Sequence, residues 1–445
     1  MVCAASAALE DAFGCAQRAI TSHASASHAS VVRIAVLPYS PSPDRLLDEM
    51  ALTMTDFLAV ERAVRTAAPH ALLDTVRAAL IENYEAVEVS LLLADYSLTV
   101  LQPVTALPPT AQPLSMQASP EGRAFGSQEP FGQYAVDDGA VDLHLPVTVR
   151  GDRLGILTVR LPKQRCTPET LEELTELAEL LGHEIVVAER DTDLYLQARR
   201  ASRLTLAAEM QWQLLPARAC TRPEYAIGAQ LEPAYDIHGD NFDWSTNGET
   251  LVLSITNGMG EGIQASLLTN LAVNALRNAR RANIGIVDQA ALADQAIYGQ
   301  YHGEEYVSTL LLSFELATGR VQVVDAGSPQ LWLQRDKSVG HVGFEAQLPL
   351  GMFEESTYDA QEFQALPGDR LIFVSDGVYA AVSRAGETYG EKALARAIQA
   401  VSLLPAAAVP RALLQELASY RDAEADDDAL VVCLDWSGRT TADPS

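Results

Sequence analysis

Apolar positions along the chain change period several times, and the changes mark out its parts. Leu72, Val76, Leu80 and Ile81 recur at helical spacing, then run into Val87-Glu88-Val89-Ser90-Leu91-Leu92-Leu93, which reads as a strand. Val141 to Val149 and Leu154 to Leu161 flank Arg150-Gly151-Asp152-Arg153, a hairpin signal. Thr167 can cap a helix that opens on Pro168. Leu171, Leu174, Ala178, Leu181, Ile185 and Ala188 then step by three and four, the spacing of a coiled-coil seam, and the helical pattern is expected to persist towards Gln213. Two readings of this stretch stay open: a last helix packed on its own sheet, or a stalk that pairs two chains and joins a sensor to an effector. Gly182 interrupts the seam.

From Tyr225 onwards strands dominate. Leu251 to Ile255, Val307 to Phe314, Val321 to Val324, Arg370 to Val374 and Ala429 to Leu434 read as strands, mostly buried. Helical stretches lie between them at Ile263 to Ala282, Val287 to Tyr301, Glu391 to Leu403 and Pro410 to Tyr420. Arg277, Arg280 and Arg281 near the end of the first complement its dipole. Residues 1–45, rich in Ala, Ser and His, are expected to form a mobile arm, and 439–445 a tail.

The 445 residues suffice for two to three compact domains, and 48% apolar with 20% charged residues is ordinary for a globular protein. The net charge of −28 changes the picture more. Such a surface repels phosphate backbones and anionic lipid, so nucleic acid and membrane are not expected partners. Five scattered cysteines (Cys3, Cys15, Cys166, Cys220, Cys433) form no CxxC pair, which argues against a disulfide framework or a zinc site. Glu10 and Asp11 fall where a secretory leader would be apolar, and no run is long enough to span a bilayer; a cytoplasmic protein is expected.

Candidate chemistry sits in four acidic loops. These are His238-Gly239-Asp240-Asn241-Phe242-Asp243, Thr256-Asn257-Gly258-Met259-Gly260-Glu261-Gly262, Ser375-Asp376-Gly377 and Asp426-Asp427-Asp428. Carboxylates crowded together are costly unless a divalent cation neutralises them. Oxygen donors without His or Cys favour Mg²⁺ or Mn²⁺ over zinc. A pair of such ions can activate water for in-line attack on phosphorus, so no side-chain nucleophile is needed. Neither a Ser/His/Asp arrangement nor a P-loop is present.

The ordered set is completed by Ala326-Gly327-Ser328-Pro329 and Pro367-Gly368-Asp369. Over residues 200–438 it closely resembles the SpoIIE/RsbU-like branch of the metal-dependent (PPM, type 2C-like) protein serine/threonine phosphatases. The order of elements before it, with Glu121-Gly122-Arg123-Ala124-Phe125 ahead of the hairpin, resembles a GAF domain. The fold class so implied is α+β. It comprises a GAF-like antiparallel sheet with helices over 46–165, a helical linker over 166–216, and a PPM-type α-β-β-α sandwich over 217–438. No cysteine placed for a tetrapyrrole and no cyclic-nucleotide signature names a GAF ligand, and His144 reads as a packed strand residue.

The resemblance implies Mn²⁺- or Mg²⁺-dependent hydrolysis of phosphoserine or phosphothreonine, with two ions expected. It implies a phosphorylated regulatory protein as partner, of the type of an anti-sigma-factor antagonist; a homodimer through the helical linker belongs to the stalk reading of the seam alone. Carried over by position, Asp240 would hold one metal, Asn257 stands at the bridging position, Gly258 supplies a carbonyl, and Asp376 and Asp427 complete the other shell. Asp243 and Asp428 would orient waters or neighbours, while Gly260 and Gly262 permit the tight loop.

Asn257 departs from the pattern, because the family has aspartate there. An amide offers one neutral oxygen where a carboxylate offers two anionic ones. Ser328 stands where histidine is frequent, and His238 where glycine is. Three readings follow: an active phosphatase that tolerates the amide, a phosphatase-fold binding module without turnover, or a site restored by deamidation at Asn257-Gly258.

Overall fold

The computed structural model describes residues 57–104, 112–134, 139–236, 239–421 and 427–439. The expectations for the 1–45 arm, the 439–445 tail beyond its first residue, His238 and Asp426 fall outside them. From Thr53 onward the chain forms one compact unit.

Its first layer is a six-stranded antiparallel sheet ordered β3-β2-β1-β6-β5-β4. The strands are β1 (Glu88–Ala94), β2 (Val100–Pro103), β3 (Leu114–Ser115), β4 (Phe131–Tyr134), β5 (Ala140–Val149) and β6 (Asp152–Pro162). Strand periodicity sorts the two faces. Val89, Leu91, Leu93, Leu143, Leu145, Leu157 and Val159 meet helices α1 (Leu72–Tyr84) and α3 (Pro168–Ala188); Leu92, Ala94 and Ile156 meet α2 (Pro120–Ser127). The β5–β6 turn puts Arg150 (φ 52°) and Gly151 (φ 95°) at positive φ, as a two-residue hairpin requires.

The seam of α3 is used up inside the chain. Leu174, Ala178, Leu181, Ile185 and Ala188 are buried in the core of this sheet, and Gly182 lets the helix press against β5. A methyl at Gly182 would stand 2.7 Å from the Thr148 carbonyl oxygen. The stalk reading is corrected accordingly: these residues pack on their own sheet and leave no seam for a second chain. The helix also stops at Ala188 instead of running towards Gln213. Arg190-Asp191-Thr192-Asp193 breaks it, because short polar side chains compete for backbone groups; Thr192 Oγ1 accepts from the Leu194 N–H at 3.3 Å. After a short helix (α4, Leu194–Ala198), α5 (Leu206–Leu214) begins with Thr205 as its cap.

The rest is a four-layer sandwich. One sheet runs β15-β12-β11-β10-β9 and the other β14-β13-β16-β17-β8-β7, every pairing antiparallel. The first contains β9 (Asp240–Thr246), β10 (Thr250–Gly258), β11 (Val307–Glu315), β12 (Arg320–Ala326) and β15 (Gln361–Gln364). The second contains β7 (Ala219–Thr221), β8 (Tyr225–Glu232), β13 (Gln330–Arg335), β14 (Ser338–Val342), β16 (Asp369–Val374) and β17 (Ala429–Trp436). In β17, Leu430, Val432, Leu434 and Trp436 face the core between the sheets, while Ala429, Val431 and Cys433 face helices. Both faces are covered, so the strand reads as a continuous apolar run. Helices α6 (Gly262–Arg281) and α7 (Ile286–Tyr301) cover the first sheet; α10 (Leu394–Ala400) and α11 (Val409–Tyr420), after the one-turn helices α8 (Asp376–Tyr379) and α9 (Tyr389–Lys392), cover the second. Among the described residues no helix is long and apolar enough to cross a membrane.

Helix α5 joins the halves. Tyr96, in the β1–β2 turn, packs on Trp212 with ring centroids 4.7 Å apart and planes tilted by 34°, and Arg218 Nη1 donates to the Tyr96 carbonyl at 3.0 Å. Two turns of the same helix touch the site: Gln211 Oε1 accepts from Asn241 Nδ2 at 3.0 Å, and the Ala207 carbonyl accepts from Ser266 Oγ at 3.3 Å.

Strand β9 is fixed to α6 by a buried ion pair. Asp243 accepts from Arg277 Nη2 at 2.7 Å and Arg280 Nη1 at 2.9 Å. The arginines therefore do more than complement a dipole: they anchor the helix that carries the Gly260–Gly262 loop. Removing the carboxylate strands two cations in a dry setting, so Asp243→Ala is expected to cost about 3–5 kcal/mol by urea unfolding; a loss under about 1 kcal/mol would contradict this role.

Candidate metal centre

The site forms where the ends of two sheets meet. Asp240 opens β9 and Asn257 lies opposite it near the end of β10. The acidic phrases thus belong to the strands themselves, whereas the sequence had suggested loops following apolar stretches. From the other sheet, Asp376 follows β16 and Asp427 and Asp428 precede β17. Ser375 locks these two loops: its N–H donates to the Leu430 carbonyl at 3.1 Å, and its hydroxyl accepts from the Leu430 N–H at 2.9 Å. Gly377 has no room for a side chain, because a methyl there would strike the Asp428 carbonyl. The Asp240 N–H crosses between the sheets to Asp428 Oδ2 at 3.1 Å.

Asp240, Asp376, Asp427 and Asp428 lie within one another's electrostatic reach. Burial, and then the charge of Asp428, pushes the Asp240 carboxyl well above the usual carboxylate range; a hydroxyl bond from Ser375 opposes the shift, and Asp376 and Asp427 add to it. Asp376 is raised by burial and by Asp427, against the Gly377 N–H (2.9 Å) and the Asn257 amide. Asp240 Oδ2 is buried without a protein partner. An acceptor in that state calls for a cation, and all-oxygen donors suit Mg²⁺ or Mn²⁺. Among the described residues, however, no group of three His, Cys, Asp or Glu side chains is disposed to hold a metal ion. The residues fit an ion that keeps few protein ligands; Mg²⁺ commonly takes one or two carboxylates and completes its shell with waters and phosphate oxygens.

Asn257 is built into this cluster. Its Nδ2 donates to Asp376 Oδ1 at 2.5 Å and to Ser328 Oγ at 3.2 Å. The Ser328 carbonyl in turn accepts from Tyr379 Oη at 3.1 Å. An ionised carboxylate only accepts, which fixes the amide with its nitrogen towards Asp376. The Gly258 N–H, the atom that would attack in deamidation, donates to the Gly239 carbonyl at 3.0 Å in the strand ladder. Spontaneous restoration of a carboxylate is disfavoured by that bond.

An open cleft of 620 Å³ lies above the cluster, lined by Asn257, Gly258, Glu261, Tyr306, Asp376 and Asp427 among others. Asp240 is buried and is not among its lining residues. Gly260 (φ 93°) and Gly262 (φ 65°) shape one rim as expected. Among the described residues no lysine, arginine or histidine lines the cleft. Sequence reasoning missed Tyr379, whose hydroxyl is pushed up to about 12 by burial and then by Asp376, and also Tyr306 and Ser308. Nothing local marked them; they arrive from strand register and from a helical turn. In the N-terminal sheet, His144 is a packed residue as expected, with Nδ1 3.0 Å from Thr158 Oγ1.

With this geometry in place, the comparisons fall on the same segment. Residues 247–437 match the family model described as Stage II sporulation protein E (SpoIIE), which takes in Asn257, Gly258, Asp376 and Asp427 and begins just after Asp240. This segment of the chain, less than half of its length, is thus similar to the SpoIIE family. Among relatives, it is similar to the phosphoserine phosphatase RsbU of Bacillus subtilis (strain 168), 20% identical over 200 residues, 45% of this chain and 60% of that protein. It is also similar to the phosphoserine phosphatase RsbP of that organism, 24% identical over 128 residues, 28% of this chain and 32% of that protein. The chain thus spans between a third and three fifths of the length of these curated relatives. A solved structure, the SiaA-PP2C domain of Pseudomonas aeruginosa, aligns with 52% of this chain and 94% of its own at 19% identity and a TM-score of 0.45.

Asp240 gives a pH test. Its pKa is higher folded than unfolded, so the folded chain holds a proton that the unfolded chain has released. Its contribution is whole below the unfolded value of ~4 and drains away as pH rises through the folded one. In metal-free protein near neutral pH, Asp240→Asn should therefore raise the melting temperature by about 2–4 °C for each kcal/mol relieved. The gain should vanish at about pH 4. A variant less stable than wild type at both pH values would show that the charge is compensated internally.

Proposed function

We propose that the chain is a divalent-metal-dependent phosphatase that hydrolyses phosphoserine or phosphothreonine in another protein. The observation that carries this reading is the convergence of Asp240, Asp376, Asp427 and Asp428 from two sheets beneath an open cleft. Asp240 and Asp427, with the Gly258 carbonyl, are the groups that would hold a cation, while Asp376 receives the Asn257 amide. When bound, a cation there polarises the phosphoryl oxygens and lowers the pKa of water.

The chain's own residues do the rest. Ser328 Oγ is engaged by the Asn257 amide and no histidine lines the cleft among the described residues, so within them neither cleft serine has the adjacent base that a covalent route requires. Among the same residues no basic side chain in the lining meets the phosphoryl dianion, which makes a cation the natural counter-charge. The open mouth suits a phosphorylated loop of a folded protein. Similarity to RsbU and RsbP supports phosphoserine as the substrate class, and the family resemblance supports a regulatory protein, such as an anti-sigma-factor antagonist, as its bearer. The antiparallel sheet of residues 88–162, with helices on both faces, supports the GAF-like reading of a sensor, and its contact with α5 gives that sensor a route to Asn241 beside Asp240.

The test is release of phosphate from a phosphoserine protein in Mn²⁺. Chelation should abolish turnover, and Asp427→Ala should lower kcat by about 10²–10³-fold, as removal of a preorganised electrostatic group does. Turnover indifferent to chelation and to Asp427→Ala would exclude this chemistry.

A further inference from the structure

We propose that Asn257 makes this a one-ion centre, its amide standing beside Asp376 where a second cation would otherwise sit. The inference rests on the cation-dependent reading above and concerns how many ions the site takes. The two halves of the cluster differ in what they lack. On the Asp376 side the carboxylate is already served: Oδ1 receives the Asn257 amide at 2.5 Å and the Gly377 N–H at 2.9 Å. A cation approaching Oδ1 must displace the amide. Turning the amide would aim its carbonyl at the Asp376 carboxylate, acceptor against acceptor.

On the Asp240 side the protein supplies less, a hydroxyl bond from Ser375. Oδ2 is buried and has no protein partner, while the neighbouring Asp428 contributes another anionic group and already receives the Asp240 N–H. Uncompensated charge is concentrated there, and a single cation relieves it. The absence of any three-residue His/Cys/Asp/Glu cage among the described residues fits the same picture. An ion held by one or two carboxylates leaves the remaining coordination to water and phosphoryl oxygen, which the open cleft admits. Asn257 is thus a determinant of metal stoichiometry, and Asp376 is a positioning residue that holds the amide.

The experiment is Mn²⁺ titration of the full chain by calorimetry, with electron paramagnetic resonance of the loaded protein. Wild type should take one Mn²⁺ with the spectrum of an isolated ion, and Asn257→Asp two, with a spin-coupled spectrum. In the wild-type background Asp240→Asn should weaken the ion by tenfold or more, roughly the scale of lost coordination support, while Asp376→Ala should change it by less than about threefold. Circular dichroism melts confirm that each variant is folded. Two ions in wild type, one ion still in Asn257→Asp, or equal losses from Asp240→Asn and Asp376→Ala would overturn the one-ion assignment while leaving the phosphatase reading in place. Folded wild type and Asn257→Asp that both bind no Mn²⁺ would overturn both.

Discussion

Crowded like charge, buried at Asp240 and Asp428, is the constraint around which this structure is arranged. Two sheets, each closed by its own helices, bring their ends together so that Asp240 from one meets Asp376, Asp427 and Asp428 from the other. Nothing in hydrophobic burial favours that meeting; it is held by the core between the sheets, where Phe242, Ile255, Leu310, Phe314, Phe373 and Leu430 are all but inaccessible. The apolar interior therefore supports a polar defect at its rim, and the defect is where chemistry is placed.

Three local devices keep the carboxylates close. Ser375 ties the β16 and β17 loops through two bonds to Leu430, Gly377 permits the Asp428 backbone to approach, and the Asp240 N–H spans the gap to Asp428. The Asp243 pair with Arg277 and Arg280 fixes the helix that follows the cleft's glycine rim. The N-terminal sheet is part of the same unit, because Tyr96 from its β1–β2 turn lies in the sandwich core beside Trp212. A contact path from that turn to Asn241 passes through one helix.

Much of this was legible in the sequence, and the failures are instructive. β17, β16, β10 and β11 were readable because both faces are buried and the apolar runs are continuous. Each acidic phrase alone reads as a turn or a solvated run; their ordered set pointed to Asp240, Asp376 and Asp427, which the structure brings within electrostatic reach of one another. β9, β13 and β14 were missed since polar residues interrupt them, as in Asp240-Asn241 and Gln334-Arg335, and only cross-strand register reveals them. The α3 seam misled for a different reason: a helix packed on a sheet and one paired in a coiled coil both place apolar residues every three to four positions. Gly182, read as an interruption, is a close-contact point with β5. Tyr306 and Ser308, which line the cleft, and Tyr379, which donates to the Ser328 carbonyl, carried no local signal, since their places follow from long-range topology.

The account stands on a cation sitting against the unpartnered oxygen of Asp240. Crystals of the protein grown with Mn²⁺ and measured on the metal's absorption edge give the most direct answer. An anomalous peak within coordination distance of Asp240, about 2.0–2.4 Å from a carboxylate oxygen, is the expected result. A well-ordered crystal with Mn²⁺ bound elsewhere, or nowhere, while Asp240 keeps its buried place beside Asp428, would contradict it.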